Sequence, residues 1–202
     1  MAPIQKSLTI LQGKTYELPV HWEVEPIVYK AITGITQAAP AVVTCVGHGV
    51  PDGWRVAIVS VKGMTQINAK NSPPKDSDYV IAKKLTTDTL ELNTVNAADF
   101  KAYTSAGYVQ YNTPQDLTDY VARMDIKDKV GGTVLMSLTT ENLRILIDNT
   151  SKTIKLDIDA ADTAAITWKK GIYDLELESP SGVVTALMFG TVTVTNEVTV
   201  NV

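Results

Sequence analysis

The sequence predicts an all-β protein: a β-sandwich with a small β-barrel-like domain inserted after its first strands. Apolar and polar residues alternate with a period of two along most of the chain. Turn residues separate short strand candidates at intervals of about 8 to 12 residues, the spacing of a sandwich. A strand pattern that stops near residue 28 resumes near residue 112. Because surface loops accept insertions whose ends lie close together, residues 1–28 and 112–202 are predicted to form the sandwich and residues 29–111 the insert.

Composition narrows the class of protein. The chain has 202 residues, 45% of them hydrophobic, and a net charge of -4. This apolar content is too high for a disordered chain, and the charge gives no general attraction to nucleic acid or anionic membranes. The single cysteine, Cys45, excludes an internal disulfide framework, and no apolar run approaches the roughly 20 residues that span a bilayer. We expect protein partners, with no nucleic acid, no membrane and no secretory leader.

The first half alternates strand and turn signals. Pro19 indicates an edge strand or a bulge in the opening strands. Short strand candidates follow around the turn cluster 47–53, and two more strands lie between 79 and 92. The segment 68–78, NAKNSPPKDSD, is polar and holds two prolines and no apolar anchor. We expect this loop to project from the inserted domain.

The second half is a series of strand candidates separated by clear turn residues. Lys129–Gly132 and Pro180–Gly182 carry the residues of tight turns and predict two hairpins. The one convincing non-strand stretch is 159–171. It predicts a single helical turn, capped by Asp159 or Asp162 and ending at a glycine, that crosses from one sheet to the other.

Few residues carry catalytic chemistry. The only histidines are His21 and His48, so one chain cannot assemble a histidine-based triad or a three-histidine zinc site. Cys45 and His48 are the nearest pair to a nucleophile and a base, but strand spacing puts them on opposite faces. We interpret them as a small buried cysteine and a turn-shaping histidine, and we predict that the chain is not an enzyme.

The candidate ligand sites are equally weak. Asp157, Asp159 and Asp162 resemble a calcium-binding loop only faintly, because Ala161 stands where such a loop needs glycine. Gly131–Gly132 lacks the Gly-Lys-Ser/Thr signature of a phosphate loop. We expect no metal and no cofactor.

The aromatic residues offer a third kind of site. Their dispersal along the sequence favours separate core and edge positions over a carbohydrate-binding surface. Tyr173 stands near the start of a late strand, at the position of a tyrosine corner, where a hydroxyl hydrogen bond fixes the crossing between sheets.

Three stretches together carry a resemblance to a known family. Asp116–Met124, Asp148–Ile154 and Tyr173–Val194 stand in the order DLTDYVARM, DNTSKTI and YDLELESPSGVVTALMFGTVTV. They resemble the immunoglobulin-like domains of phage tail and baseplate proteins, such as the N-terminal domain of upper baseplate proteins. The resemblance covers residues 1 to about 28 and about 112 to 202.

The predicted insert carries a second resemblance. The stretch ITGITQAAPAVVTCVGHGVPDGWRVAIVSVKGMTQIN is similar to a small β-domain of phage structural proteins that is named after the first catalytic cysteine half-domain of ubiquitin-activating enzymes. No adenylation motif accompanies it. The name therefore implies a shape and no activity.

These resemblances imply a non-enzymatic structural component of a tailed-phage virion, made in the host bacterial cytoplasm and mounted on the tail, baseplate or neck. Its partners would be other virion structural proteins, and it would form a symmetric homo-oligomer on the particle. Two alternatives stay open. One is a capsid decoration (cement) protein, and the other is a receptor- or polysaccharide-binding module.

Interface residues are predicted in three exposed segments. The termini could pair with a sheet edge on another subunit, since main-chain hydrogen bonds give affinity without special side chains. The polar loop of the insert could present a docking surface. The predicted interface residues are Ala2, Ile4, Asn71, Pro73, Pro74, Asp78, Val198, Val200 and Val202.

Overall fold

The computed structural model of the chain describes residues 2–197, so the predicted interface residues Val198, Val200 and Val202 lie outside it. The described residues form strands, one short α-helix and two short 3-10 helices. The prediction of an all-β protein of the sandwich type is confirmed. By its internal contacts the chain divides into two compact units. The split unit combines the chain up to Trp22 with the chain from Asp116 onward, and the central unit is Glu23–Gln115.

Most of the secondary-structure elements are short, as the spacing of turn residues predicts, but β16 extends over 12 residues. The 3-10 helices cover Thr65–Ile67 and Asp76–Asp78, and the α-helix, α1, covers Ala160–Ala164. The strands are β1 (Ile4–Gln5), β2 (Leu8–Leu11), β3 (Tyr16–His21), β4 (Glu23–Ala31), β5 (Gly34–Ile35), β6 (Ala41–Thr44), β7 (Arg55–Val59), β8 (Val80–Lys84), β9 (Thr89–Leu92), β10 (Tyr108–Pro114), β11 (Val121–Lys127), β12 (Val134–Thr139), β13 (Ile145–Asp148), β14 (Thr153–Ile158), β15 (Lys170–Glu178) and β16 (Val184–Thr195).

The split unit contains two sheets. One has six strands in the order β1-β16-β15-β11-β12, with β2 also paired to β16, and the other has the order β13-β14-β3. Alternate residues of each strand turn inward, so the core is built from both sheets. Each large apolar side chain buried there contributes about 1.5–3 kcal/mol. Buried members include Ala122, Met124, Ile126, Leu138, Ile145, Ile154, Leu156, Ile158, Leu175, Leu177 and Val192.

Both predicted hairpins of the split unit are present. The turn between β11 and β12 holds a hydrogen bond from the Gly132 amide to the Lys129 carbonyl at 2.9 Å. The turn between β15 and β16 holds one from the Gly182 amide to the Ser179 carbonyl at 2.8 Å. Gly182 has a φ of +80°, a conformation that glycine adopts without steric strain.

The predicted crossing segment is a helix, but it is shorter than expected. Helix α1 joins β14 of one sheet to β15 of the other, which confirms the crossing. It ends at Ala164, well before Gly171, and the side chain of Asp159 makes no capping hydrogen bond. Asp162 is bound instead by Arg144, whose Nη2 donates to its Oδ2 at 2.6 Å. The ion pair fixes a carboxylate that the sequence suggested as a cap.

The N-terminal arm lies along β16 of its own sheet. Strands β1 and β2 pair with β16 in parallel, and the Lys6 amide donates to the Phe189 carbonyl at 2.8 Å. The Tyr173 hydroxyl donates to the Lys6 carbonyl at 2.8 Å, so the predicted corner tyrosine ties down the arm. The arm is thus an edge of the sheet, and Ile4 remains 62% exposed on it.

The central unit is one seven-stranded sheet in the order β4-β10-β7-β8-β9-β6-β5. The first and last strands of this order, β4 and β5, are consecutive in the chain. Between them the Ile32 amide donates to the Gly107 carbonyl at 3.0 Å and the Thr33 amide donates to the Thr44 carbonyl at 2.9 Å. The two ends of the sheet are therefore joined by one continuous segment. A single buried cluster, which includes Trp54, Met64 and Leu92, fills its inner side.

The bounds of the central unit follow from one strand pairing. Strands β4 and β10 pair in antiparallel fashion from Ala31 opposite Tyr108 to Glu23 opposite Pro114. The whole of β4 therefore belongs to this unit, which begins at Glu23 and ends at Gln115. The predicted insert, 29–111, is narrower because the sequence assigned the start of β4 to the opening strands of the sandwich.

Acid titration tests the loop that opens the second segment of the split unit. The Asp116 carboxylate accepts hydrogen bonds from Asn149 Nδ2 at 2.9 Å, Lys152 Nζ at 3.1 Å and Thr118 Oγ1 at 3.0 Å. These donors, Asn149 first, lower the pKa of Asp116 to about 2.

A carboxylate whose pKa is lower in the folded state than the unfolded value of about 3.9 stabilises the fold above pH 4. We expect that contribution to be lost as the pH falls from about 4 to about 2. Carbon-detected NMR titration of the Asp116 carboxyl should give a midpoint near pH 2. A midpoint near 3.9 would contradict the hydrogen bonds described for Asp116.

Replacing Gly190 tests the seating of the N-terminal arm. A Cβ at this position would lie 2.1 Å from the Lys6 carbonyl oxygen. We expect Gly190→Ala to lower the free energy of unfolding by about 1–3 kcal/mol, measured by urea titration, because main chain must shift to admit the methyl group. Gly34→Ala is the control, since its nearest neighbour is Thr44 Oγ1 at 3.5 Å. Equal stability of the two variants would mean that the arm does not pack as described.

Candidate functional site

Cys45 and His48 do not form a nucleophile and base. Both are fully buried. The His48 Nε2 donates to the Thr86 carbonyl at 3.0 Å, and its Nδ1 accepts from the Val50 amide at 3.0 Å. Burial lowers the pKa of His48 and raises the pKa of the Cys45 thiol to about 11. Two main-chain groups therefore hold a neutral imidazole, and the thiol stays protonated at neutral pH.

Two of the three acidic residues of the faint calcium pattern are paired with cations of the protein itself. Asp157 is paired with Lys155 at 2.7 Å, and Asp162 is paired with Arg144. Within residues 2–197 no group of three or more His, Cys, Asp or Glu side chains is arranged to hold a metal ion. Asp157 and Asp162 therefore serve as partners of ion pairs within the split unit.

The polar loop 68–78 folds back on the central unit, which corrects the expectation that it projects. The Asn68 side chain accepts from the Val61 amide at 2.8 Å and donates to the Val61 carbonyl at 3.0 Å. The Ala69 amide donates to the Ile58 carbonyl at 2.7 Å. Polar side chains thus provide the anchor that apolar residues do not, and the loop covers the outer face of β7 and β10.

Asp78 sets the shape of the tip of this loop. Its carboxylate accepts from the Lys70 amide at 3.0 Å, the Lys75 amide at 2.9 Å and Asn71 Nδ2 at 2.8 Å. The hydrogen bonds from Lys75 and Asn71 lower the pKa of Asp78. The predicted interface residue Asp78 is therefore an anchor of the loop, bound to residues on both sides of the prolines 73 and 74.

A charged network supports the base of the same loop. Arg55 donates through Nη2 to Glu23 Oε2 at 2.7 Å and through Nη1 to Asp76 Oδ1 at 2.9 Å. Its guanidinium also lies 4.9 Å from the centre of the Tyr79 ring. The hydrogen bond with Glu23 is the largest cause of the raised pKa of Arg55. The network joins β4 and β7 to the 3-10 helix Asp76–Asp78.

The folded loop forms one wall of the first candidate site, an open cleft that we call the loop cavity. It has a volume of about 470 Å³ and lies between the loop and the outer face of β4, β7 and β10. Tyr29 and Gln110 are register partners across β4 and β10, so their side chains share this face. Tyr29 also meets Tyr108 in a T-shaped contact with ring centres 6.3 Å apart. The residues that give the cavity its chemistry are Tyr29, Gln110, Ser60, Asn71, Ser72 and the prolines 73 and 74.

The second candidate site, which we call the sheet groove, lies on the outer face of the six-stranded sheet. It has a volume of about 600 Å³. Ile172 and Phe189 form its apolar floor, and Val130 of the β11–β12 turn lies at one end. Pro3 of the N-terminal arm also lines it. The surrounding charges are those of Asp125, Lys127, Lys129 and Asp174.

Apart from Asp78, the predicted interface residues that the structure describes fall into two groups. Asn71, Pro73 and Pro74 line the loop cavity. Ala2 and Ile4 are exposed on the N-terminal arm, beside the sheet groove. Sequence reasoning missed Tyr29, Gln110 and Phe189. Tyr29 and Gln110 are 81 residues apart in the sequence. Only the register of β4 with β10 reveals that their side chains lie next to each other on one face of the sheet.

Comparison with known proteins found no match to this chain, either among protein-family models or among curated protein sequences. Among residues 2–197, no helix is long and apolar enough to cross a membrane. A functional proposal therefore depends on the residue pattern and on the chemistry of the loop cavity and the sheet groove.

Removing the Asp78 carboxylate tests how the loop cavity is held. We expect Asp78→Ala to speed hydrogen exchange at the amides of Lys70 and Lys75, because both donate to this carboxylate. Asp99→Ala is the matched control, since it removes an exposed carboxylate of the central unit that lies outside the loop. NMR-detected exchange that is unchanged at both amides in Asp78→Ala would show that another contact orders the loop.

Proposed function

We propose that this chain is a non-enzymatic structural component of a tailed-phage virion, mounted at the tail, baseplate or neck and acting through protein–protein docking. The observation that carries the proposal is the sheet groove, which combines an exposed apolar floor with a charged rim. The sequence of the chain adds support, because it resembles the immunoglobulin-like and small β-domains of phage structural proteins. The partners are other virion structural proteins, and copies of the chain are arranged symmetrically on the particle.

The floor of the sheet groove has the composition of an interface core. Phe189 is 40% exposed and Val130 is 90% exposed, and both lie beside Ile172 in the groove. Aromatic and aliphatic side chains that are exposed together are the usual anchors of protein interfaces. A docked partner would remove them from water and gain roughly 25 cal/mol for each Å² of apolar surface buried.

The rim supplies specificity. Asp125 and Lys127 form an exposed ion pair at 3.7 Å, and surface pairs of this kind are worth only about 0–1 kcal/mol. Lys127 can therefore exchange its partner for an opposite charge on a docked protein at little loss of stability, while Asp125 is also held by Ser137, whose hydroxyl donates to it at 2.8 Å. Charges of both signs around an apolar centre favour one orientation of the partner.

The N-terminal arm offers a second docking element next to the groove. Strands β1 and β2 pair with β16 on one side only, within the described residues. Main-chain groups on the outer side of an edge strand can accept a strand from a neighbouring subunit. Groove and edge together give one continuous surface for assembly.

A capsid decoration protein is the second candidate, since the same groove and edge could dock to a phage head. Position on the particle separates the two. Gold-labelled antibody to the chain, applied to intact particles and viewed by electron microscopy, should mark the tail, neck or baseplate. Label spread over the head would make it a decoration protein, and unlabelled particles would contradict a virion role.

Substituting the groove floor tests docking directly. We expect Phe189→Glu to reduce incorporation into particles at least about tenfold, equivalent to about 1.4 kcal/mol of docking free energy, because it places a charge in the apolar centre. Incorporation is measured by quantitative immunoblot of purified particles after complementation. Val183→Glu is the matched control, since Val183 is 60% exposed and lies outside the groove. Normal incorporation of Phe189→Glu would exclude the groove as the docking site.

A further inference from the structure

The loop cavity differs in chemistry from the sheet groove. No charged side chain lines it. Its wall carries one exposed aromatic ring, Tyr29, together with carboxamides and hydroxyls. Its volume, about 470 Å³, falls within the range of about 300–1,000 Å³ typical of small-molecule sites. The cavity therefore suits an uncharged ligand that has both apolar faces and many hydrogen-bonding groups.

Gln110 supplies a hydrogen-bond acceptor in the cavity. The residue is only 3% exposed, yet it lies on the outer face of the sheet, beneath the loop. Its Nε2 donates to the Tyr79 hydroxyl at 3.1 Å, which fixes the carboxamide. Within the described residues no group donates to its Oε1. The carboxamide is held by its own donor, so its accessible oxygen is free to accept a hydrogen bond from a ligand or from solvent.

The loop side of the cavity adds further polar groups. Asn71 donates through Nδ2 to Asp78, so its carbonyl oxygen is left to accept. Ser60 and Ser72 bring hydroxyls, and Ser60 has a φ of +61°, a conformation uncommon for a residue other than glycine. Because Asp78 and the Arg55 network hold the loop, these groups are fixed before a ligand arrives, which limits the entropy lost on binding.

We propose that the loop cavity binds a neutral saccharide. A pyranose ring has an apolar C–H face, which can lie on the Tyr29 ring, and an edge of hydroxyls that both donate and accept hydrogen bonds. The hydroxyls would donate to Gln110 Oε1 and Asn71 Oδ1 and would exchange hydrogen bonds with the two serines. The uncharged wall offers nothing to a phosphate, a sulfate or a uronic acid. The carboxamide oxygens match sugar hydroxyls better than proline-rich peptide, which lacks donors at its prolines.

NMR titration of the full chain tests this site. The probes are hexasaccharides of β-1,4-glucose, α-1,4-glucose, β-1,4-mannose and β-1,4-N-acetylglucosamine, added up to about 10 mM. Comparators are an α-1,4-galacturonic acid hexamer and a proline-rich peptide. At least one neutral sugar should shift the Gln110 side-chain amide and the Ser72 amide. Failure of all four neutral sugars to do so would overturn the proposal, as would a shift caused by the peptide in their place.

Two variants localise the binding. Tyr29→Ala removes the exposed ring, and Ser60→Gly removes a hydroxyl while keeping a backbone that glycine adopts readily. Each should weaken the binding at least about tenfold, and Phe189→Ala, which removes an exposed ring from the sheet groove, should leave it unchanged. Full binding by Tyr29→Ala would overturn the site. The outcome is separable from docking, because Phe189 variants report on the sheet groove and Tyr29 variants on the loop cavity.

Discussion

The antiparallel pairing of β4 with β10 is the constraint on which the central unit depends. It sets Glu23, where the chain enters this unit, opposite Pro114, where the chain is about to leave it. A long segment can then be inserted between two strands with little closure entropy, because its ends are already held together. The same register sets Tyr29 opposite Gln110. One ladder of main-chain hydrogen bonds therefore closes the unit and also builds the floor of the loop cavity.

Polar anchoring gives the loop over this floor its shape. Asn68 and Asp78 bind main-chain groups at the two ends of the segment, and Arg55 ties its helical turn to Glu23 of β4. Each hydrogen bond adds only about 0.5–1.5 kcal/mol, so the order of the loop comes from their number. A loop without an apolar anchor is in this way kept against the sheet, and a cavity with an uncharged wall is left beneath it.

Much of the fold could be predicted from local signals, because hairpins depend on turn residues and strands on alternation. Lys129–Gly132 and Pro180–Gly182 are such turns, and both are present. The parallel pairing of the N-terminal arm with β16 could not be predicted, since residues far apart in sequence share no local pattern. Because Gly190 has no side chain, the Lys6 main chain can lie against it. A glycine in the middle of β16 is only a weak indication that another segment of main chain packs there.

The candidate sites were harder to predict for the same reason. The aromatic residues looked dispersed, but the register brings Tyr29 and Tyr108 within 6.3 Å of each other on an exposed face. The segment 68–78 looked free because its anchors are polar. Conversely, Cys45 and His48 could be interpreted correctly from their spacing, which does not suit a nucleophile and a base. Both are buried, and the two ring nitrogens of His48 are bound by main-chain groups.

The most direct test of this account is the environment of the Gln110 side chain, measured by isotope-edited NOE spectroscopy. Cross-peaks from its amide protons to the ring of Tyr79, with slow exchange of those protons, are predicted by the 3.1 Å hydrogen bond beneath the folded loop. An amide that exchanges at the rate of an exposed glutamine and lacks these cross-peaks would show that the loop does not cover the sheet. The loop cavity would then not exist as described.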